Sequence, residues 1–234
     1  MKEFKVLNLY ACLGGNRYKW DEVAEEANIN LKVTAVELDP ELAKLYQERF
    51  PNDTVIVADA HQYLLDLKNS GELDSYSFVW SSPPCPTHSR IRYVNAKSGM
   101  YNRGKLDAVY PSMLLYEEII FLDNYFDGKY VVENVIPFYE PLIPAKKRGR
   151  HLYWTNFNLP NNLRERKVLI RGNENDMDAL TKFHDYDFKK YKGNQRRDKI
   201  SRNLVDYEAG RTILETALGI IRKKDVTQTE LFDV

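Results

Sequence analysis

The sequence is poor in cysteine and has no long apolar run. Cys12 and Cys85 are the only cysteines among 234 residues. Two thiols exclude a disulfide framework or a zinc cluster, and they predict an intracellular protein with reduced cysteines and no bound metal. No segment approaches the ~20 apolar residues that span a bilayer, and the N-terminus lacks the apolar region of a signal peptide. We therefore expect a cytoplasmic protein that does not contact a membrane.

The chain also lacks a net charge, because 34 basic residues balance 34 acidic ones. Overall charge therefore does not indicate a nucleic-acid partner, but the acids are unevenly distributed. Residues 86–106 and 141–164 contain no Asp or Glu, and residues 189–202 hold one acid against seven Lys and Arg. One such run is most simply a solvated loop, whereas three favour a surface that follows a phosphate backbone. The phosphate contacts predicted from the first run are Arg90, Arg92, Lys97 and Arg103.

Strand-like and helix-like segments alternate along most of the sequence. FKVLNLY, LKVTAVELD, DTVIVAD, SYSFVWSS and KYVVEN read as strands, and helical segments lie between several of them. This alternation predicts a mostly parallel sheet covered by helices on both faces. RHLYWTNF and RKVLI are predicted as later strands, and EAGRTILETALGIIRK as an amphipathic helix. The polar segment 158–200 is interpreted as a small insertion.

The first three strands end in residues that suit an adenosine-containing cofactor. The first strand runs into YACLGGN, where two glycines let the backbone approach a ligand closely. Glu37 ends the second strand and is placed to accept hydrogen bonds from ribose hydroxyls, while Asp59 ends the third and could meet an adenine amino group. The phosphate-binding pattern G-x-G-x-x-G is absent, which disfavours NAD and leaves S-adenosylmethionine. Each acid could instead cap the helix that follows, above all Asp39 before Pro40.

The fourth and fifth strands end in a thiol and a carboxyl group. Two prolines stiffen the backbone before Cys85 in SSPPCPTHS, and the basic loop that follows favours the thiolate. Glu133 ends the fifth strand in VVENV, so adjacent strands would direct both groups into one crevice. A thiol beside a carboxyl group suits nucleophilic addition to a ring whose nitrogen is protonated or bound. The alternatives are a small buried cysteine at position 85, and a helix cap or a structural hydrogen bond by Glu133; Cys12 is interpreted as a packing residue.

These segments, in this order, resemble the motifs of the cytosine-5 DNA methyltransferases. The matching segments are YACLGGN, VELD, VADA, PPCPTHS, ENV, RGR and RNLV. The resemblance implies an α/β, Rossmann-like class I S-adenosylmethionine-dependent methyltransferase with a mostly parallel sheet and a reduced target-recognition segment. It implies a catalytic and cofactor-binding domain over 1–157, recognition at 158–200, a completing helix at 201–224 and a tail at 225–234. The likeness is to short members from bacteria or phages, so a bacterial or phage-infected cell is the expected setting. Cys12 and Arg202 stand where the family has glycine.

The resemblance also implies residue roles. The Cys85 thiolate attacks C6 of a flipped-out cytosine, Glu133 binds the ring at N3 and the exocyclic amine, and Arg150 with Arg148 holds the nucleotide. Ser89 completes the catalytic motif. S-adenosylmethionine donates the methyl group to C5 and leaves as S-adenosylhomocysteine, and double-stranded DNA is the partner. The implied cofactor contacts are Tyr10, Ala11, Leu13, Gly14, Gly15, Glu37, Leu38, Asp59, Ala60, Pro83, Asn203 and Val205.

Three alternatives stay open at this point. The same chemistry could act on RNA or on a free cytidine nucleotide, because the recognition segment is short. A non-catalytic DNA-binding homologue is disfavoured by the presence of both Cys85 and Glu133, and an N-methyltransferase is disfavoured by PPC where that class has other motifs. The tail segment Gln228–Phe232, QTELF, resembles the peptides by which bacterial replication and repair proteins bind the sliding clamp. The alternative for this segment is that Leu231 and Phe232 fold back onto the core.

Overall fold

A computed structural model describes residues 1–90, 93, 110–161, 163 and 175–220. Its single sheet is built from β1 (Lys2–Leu9), β2 (Ile29–Glu37), β3 (Thr54–Val57), β4 (Phe78–Ser81), β5 (Lys129–Val135), β6 (Lys146–Arg148) and β7 (His151–Thr155). The spatial order is β3-β2-β1-β4-β5-β7-β6. Strands β1 to β5 are parallel, β7 is antiparallel to β5, and β6 is antiparallel to β7. The expected α/β fold with a mostly parallel sheet is confirmed.

The helices cover both faces of this sheet. They are α1 (Trp20–Ala27), α2 (Pro40–Arg49), α3 (Ala60–Ser70), α4 (Leu114–Tyr125), α5 (Asn175–His184), α6 (Arg197–Asn203) and α7 (Tyr207–Leu218), with short 3-10 turns at Asn16–Lys19, Leu73–Ser75 and Phe188–Lys190. Helices α3, α5 and α6 and strand β6 have no counterpart among the predicted elements. The predicted strand RKVLI and the segment Gln228–Phe232 lie outside the described residues. No helix among the described residues is long and apolar enough to cross a membrane.

Alternate residues of the central strands fill two separate apolar layers. Leu7 and Val79 pack with helices α3 and α4 on one face of the sheet. Val6 and Phe78, one position earlier on the same strands, pack with α1 and α7 on the other face. Successive side chains of a strand point to opposite faces, so both faces of the sheet are buried at residues 6–9 of β1 and along β4.

The segment that follows β7 packs beside the N-terminal half of the sheet. Helices α5 and α6 contribute Leu180 and Ile200 to a third apolar cluster, which also contains Leu13 and Leu42. Helix α7 then packs so closely against the first 3-10 turn that a methyl group on Gly210 would lie 2.2 Å from the Asn16 carbonyl oxygen. Residues 175–220 therefore pack against the turn that follows β1.

Candidate active site

A cleft of about 1070 Å³ runs along the carboxyl ends of the parallel strands. It includes the gap between β1 and β4, where the chain order of the sheet reverses, and such reversals are the usual ligand positions in open α/β sheets. Typical small-molecule pockets measure about 300–1,000 Å³, so this cleft has room for a cofactor together with a second group. The lining residues come from the carboxyl ends of β1 to β5, from the start of β7 and from helices α2, α3 and α6.

The turn after β1 departs from ordinary backbone geometry at several residues. Tyr10, Cys12 and Gly14 all have positive φ angles, of 56°, 47° and 67°. A methyl group on Gly14 would lie 2.4 Å from the Phe50 ring, and one on Gly15 would lie 2.3 Å from the Val205 carbonyl oxygen. The two glycines are therefore required by the chain's own packing. Tyr10, Ala11 and Gly15 line the cleft as expected, whereas Leu13 and Gly14 are buried beside it.

Cys12 lines the cleft and also contacts the third apolar cluster. Burial, followed by the nearby Glu37 carboxylate, raises the pKa of the Cys12 thiol to about 12. The thiol therefore stays neutral near pH 7, which agrees with its interpretation as a packing residue.

The acids at the ends of β2 and β3 accept hydrogen bonds from backbone amides and also line the cleft. Glu37 accepts the Cys12 amide at 2.8 Å through one carboxylate oxygen and the Asp39 amide at 2.9 Å through the other. Burial is the main cause that raises the pKa of Glu37. Asp39 and Asp59 are N-caps of α2 and α3, as the capping alternative predicted. All three still line the cleft, together with Leu38 and Ala60.

Behind Tyr10 lies a buried carboxylate that sequence reasoning missed. Glu118 of α4 is fully buried and accepts hydrogen bonds from the Tyr10 hydroxyl and, at 2.5 Å, from the Ser81 hydroxyl. His61 approaches the same carboxylate at 3.4 Å. Burial and the Glu118 charge raise the pKa of Tyr10 well above its ordinary value. The sequence signal for this cluster was an acid within an apolar helix, LLYEEIIFL.

Cys85 lies in the cleft at the end of β4, where the sequence placed it. The amides of His88 and Ser89 donate to its carbonyl oxygen at 3.0 and 3.1 Å, forming a tight turn. Asn134 at the end of β5 donates to the Pro83 carbonyl at 3.0 Å and ties the two strand ends together. Pro83 and Ser89 line the cleft with the thiol.

The expected stabilisation of the Cys85 thiolate is not observed in the described residues. Burial, and then the Glu133 carboxylate, raise the pKa of the Cys85 thiol, while the Lys199 ammonium opposes them. Arg90 donates to the Pro137 carbonyl at 2.7 Å and does not line the cleft. The other predicted phosphate contacts, Arg92, Lys97 and Arg103, lie outside the described residues.

Glu133 is buried at the end of β5, next to β4 in the sheet. Its Oε2 accepts the Ser82 hydroxyl at 3.0 Å, and Ser82 Oγ in turn accepts the Trp80 indole N–H at 2.8 Å. Its Oε1 lies 3.4 Å from His151 Nε2. The thiol and the carboxyl group therefore line one cleft, as the strand-end argument predicted.

The two arginines of RGR differ in position. Arg150 lines the cleft. Arg148 lies on β6, outside the lining, and its guanidinium donates to the Pro160 and Leu159 carbonyls at 2.6 and 3.1 Å and to Asn161 at 3.1 Å. The expected role of Arg148 in holding a nucleotide is therefore corrected, because its donors stabilise the segment after β7.

Further lining residues were not assigned from the sequence. His151 begins β7, and Gln195, Arg196, Lys199 and Arg202 come from α6 or the residues before it. Asn203 and Val205, which were predicted as cofactor contacts, line the same side. The acid-poor run at 189–202 was the available signal for this basic rim.

Comparison of the sequence with protein-family models and with curated proteins finds no match. Among solved structures, a hypothetical protein of Thermus thermophilus is 18% identical over 64% of this chain and 73% of its own, with a TM-score of 0.39. A Spodoptera frugiperda DNMT2 mutant is 22% identical over 56% of this chain and 35% of its own, with a TM-score of 0.34. A putative DNA modification methyltransferase encoded within an Escherichia coli prophage is 18% identical over 58% of this chain and 34% of its own, with a TM-score of 0.35. The matched region thus spans about a third of the last two chains.

Proposed function

We propose that this protein is an S-adenosylmethionine-dependent DNA cytosine-5 methyltransferase. The observation that carries this proposal is the meeting of Cys85 and Glu133 in one cleft that continues to Glu37 and Asp59. A nucleophilic thiol beside a carboxyl group is the pair needed to activate a pyrimidine ring, and acids at the ends of β2 and β3 suit a nucleoside cofactor.

The β1 to β3 side of the cleft fits S-adenosylmethionine by its donors and acceptors. Each Glu37 oxygen uses one of its lone-pair sites for a backbone amide, which leaves further sites for ribose hydroxyls. Leu38 is 65% exposed in the lining and offers apolar surface to a flat purine ring. Asp59 and Ala60, with Asn203 and Val205 opposite, would complete the site. When bound, the cofactor supplies an electrophilic methyl group.

On the β4 to β7 side, the chain's own groups activate the base. The target cytosine has to leave the stack, because C5 and C6 are inaccessible inside a duplex. Addition of the Cys85 thiolate to C6 moves electron density to C5, while Glu133 binds the ring at N3 and the exocyclic amine. Loss of the C5 proton later re-forms the C5–C6 double bond and expels the thiolate. Ser82, which donates to Glu133, would hold it for this role, and Arg150, which lines the cleft, would bind the nucleotide.

The thiol has to lose its proton before it adds to the ring. Because burial and Glu133 raise the pKa of Cys85, the free protein holds the neutral thiol. The Lys199 ammonium favours the thiolate and belongs to the basic rim of α6. DNA phosphates would bind this rim and the basic loop that includes Arg90, with Arg92, Lys97 and Arg103.

The direct test is methyl transfer from labelled S-adenosylmethionine to a defined duplex, followed by base-resolution mapping of 5-methylcytosine. Transfer RNA and dCMP are run beside the duplex, and preference for either would replace DNA as the substrate. DNA containing 5-fluorocytosine should trap wild-type protein covalently, since fluorine blocks the final elimination. Cys85→Ser should abolish the adduct, whereas Cys12→Ser should keep it because that thiol is not the nucleophile. An adduct in Cys85→Ser would refute the mechanism.

A further inference from the structure

His151 lines the cleft beside Glu133. It is the first residue of β7, its side chain is 30% exposed, and its Nε2 lies 3.4 Å from Glu133 Oε1. The antiparallel pairing of β7 with β5 places it opposite Val135, two residues beyond Glu133. An ionisable imidazole therefore lines the same cleft as the acid that is to bind the cytosine ring.

The two oxygens of Glu133 have different surroundings. An indole N–H only donates, so the Trp80 contact makes Ser82 Oγ an acceptor and leaves the Ser82 hydroxyl proton for Glu133 Oε2. Oε2 is thereby held as an acceptor. Oε1, which faces His151, is the oxygen that can take up a proton without competing with Ser82.

We propose that His151 is a positioning residue that acts through Glu133, holding Oε1 and passing it the proton that the cytosine ring receives; this rests on the proposed function. The imidazolium Nε2–H bond breaks as the Glu133 Oε1–H bond forms, and that bond breaks in turn as the proton moves to N3. When the C5–C6 double bond re-forms, the N3 proton returns to Glu133 and then to His151, which regenerates the imidazolium. The C5 proton is then the net proton released.

Other charged and titratable groups face His151 from the neighbouring elements. On β6 its register partner Arg148 is bound to backbone carbonyls, and on β7 the Tyr153 ring centroid lies 6.4 Å away. Cys85, Arg150 and Lys199 line the shared cleft. Among the described residues, Glu133 is the carboxylate within ion-pair distance of the imidazole, so it is the group to which a proton would pass.

The test compares covalent trapping rates on 5-fluorocytosine DNA from pH 5.5 to 9 for wild type, His151→Gln and Ser82→Ala. Dividing wild-type by variant rates cancels the ionisation of Cys85, which both proteins share. For His151→Gln the ratio should be about a hundredfold at low pH, where a positioned donor is protonated, and should fall toward one as histidine loses its proton. For Ser82→Ala, which removes a holding contact but no proton source, the ratio should stay constant with pH.

A pH-independent ratio for His151→Gln, or a rate equal to wild type at low pH, would overturn the inference. A second measurement separates it from the proposed function. The rate at which the His151 imidazole N–H protons exchange with water is measured by NMR at one pH in wild type and in Glu133→Gln, without DNA. Faster exchange in Glu133→Gln supports contact between the two groups even if DNA is not the substrate, and an equal rate contradicts it.

Discussion

Arg17, directly after the cofactor turn, forms one buried and one exposed ion pair of nearly equal length. Its Nε and one terminal nitrogen bind the two oxygens of Asp53 at 2.9 Å each, and the same terminal nitrogen binds Asp21 at 2.8 Å. The Arg17 and Asp53 side chains are 3% exposed, whereas Asp21 is 68% exposed. The Tyr46 hydroxyl also donates to Asp53 at 2.9 Å. Replacing each aspartate by asparagine therefore compares a buried ion pair with an exposed one of nearly the same N–O distance.

We expect Asp53→Asn to lower the free energy of unfolding by about 3–5 kcal/mol, because the buried Arg17 guanidinium loses its buried counter-charge and keeps only the exposed Asp21. Asp21→Asn should cost at most about 1 kcal/mol, since solvent screens the exposed pair. For a chain of this size each kcal/mol lowers Tm by roughly 2–4 °C, so the two variants should differ by several degrees. Because asparagine has nearly the volume of aspartate, neither change in the free energy of unfolding includes the cost of a cavity.

Urea unfolding followed by tryptophan fluorescence measures both variants, with equal m-values as the condition for comparison. The double variant Arg17→Met/Asp53→Leu supplies the control, because an apolar pair of similar size should recover most of the loss. A difference below about 1 kcal/mol between Asp53→Asn and Asp21→Asn would refute the reasoning that burial determines the strength of this pair.

Three further predictions concern the cleft. Glu133→Gln should lower kcat by about a hundredfold or more with little change in DNA affinity, since glutamine cannot deliver a proton; single-turnover rates and DNA titrations measure this, and a change in KM alone would contradict it. Adduct formation by Cys85 should accelerate as pH rises through the alkaline range, because its raised pKa keeps the thiol protonated at lower pH; a rate already constant at neutral pH would disprove this. Gly15→Ala places a methyl group 2.3 Å from the Val205 carbonyl, so calorimetry should show weaker S-adenosylmethionine binding together with a lower Tm, and wild-type affinity would argue against this packing.

Local patterns in the sequence determined the fold class and the strand-end positions of the site. Strand-like runs such as SYSFVWSS and KYVVEN marked buried strands, and Asp39 before Pro40 marked the start of α2. These signals depend on backbone preferences and on burial of neighbouring residues, which a short segment carries by itself. Cys85 and Glu133 could be placed together from the sequence because parallel strands end at one edge of a sheet.

The tertiary structure decided which polar groups face the cleft and how they are charged. Arg148 and Arg150 are two residues apart in a charged run, and the sequence does not distinguish them. In the structure Arg150 lines the cleft, whereas Arg148 donates to the carbonyls of residues 159 and 160 and stabilises that segment. Glu118 meets Tyr10 from 108 positions away, a contact that no local pattern encodes. The pKa of Cys85 likewise follows from its burial and its nearness to Glu133, because desolvation and charge act through space and not along the chain.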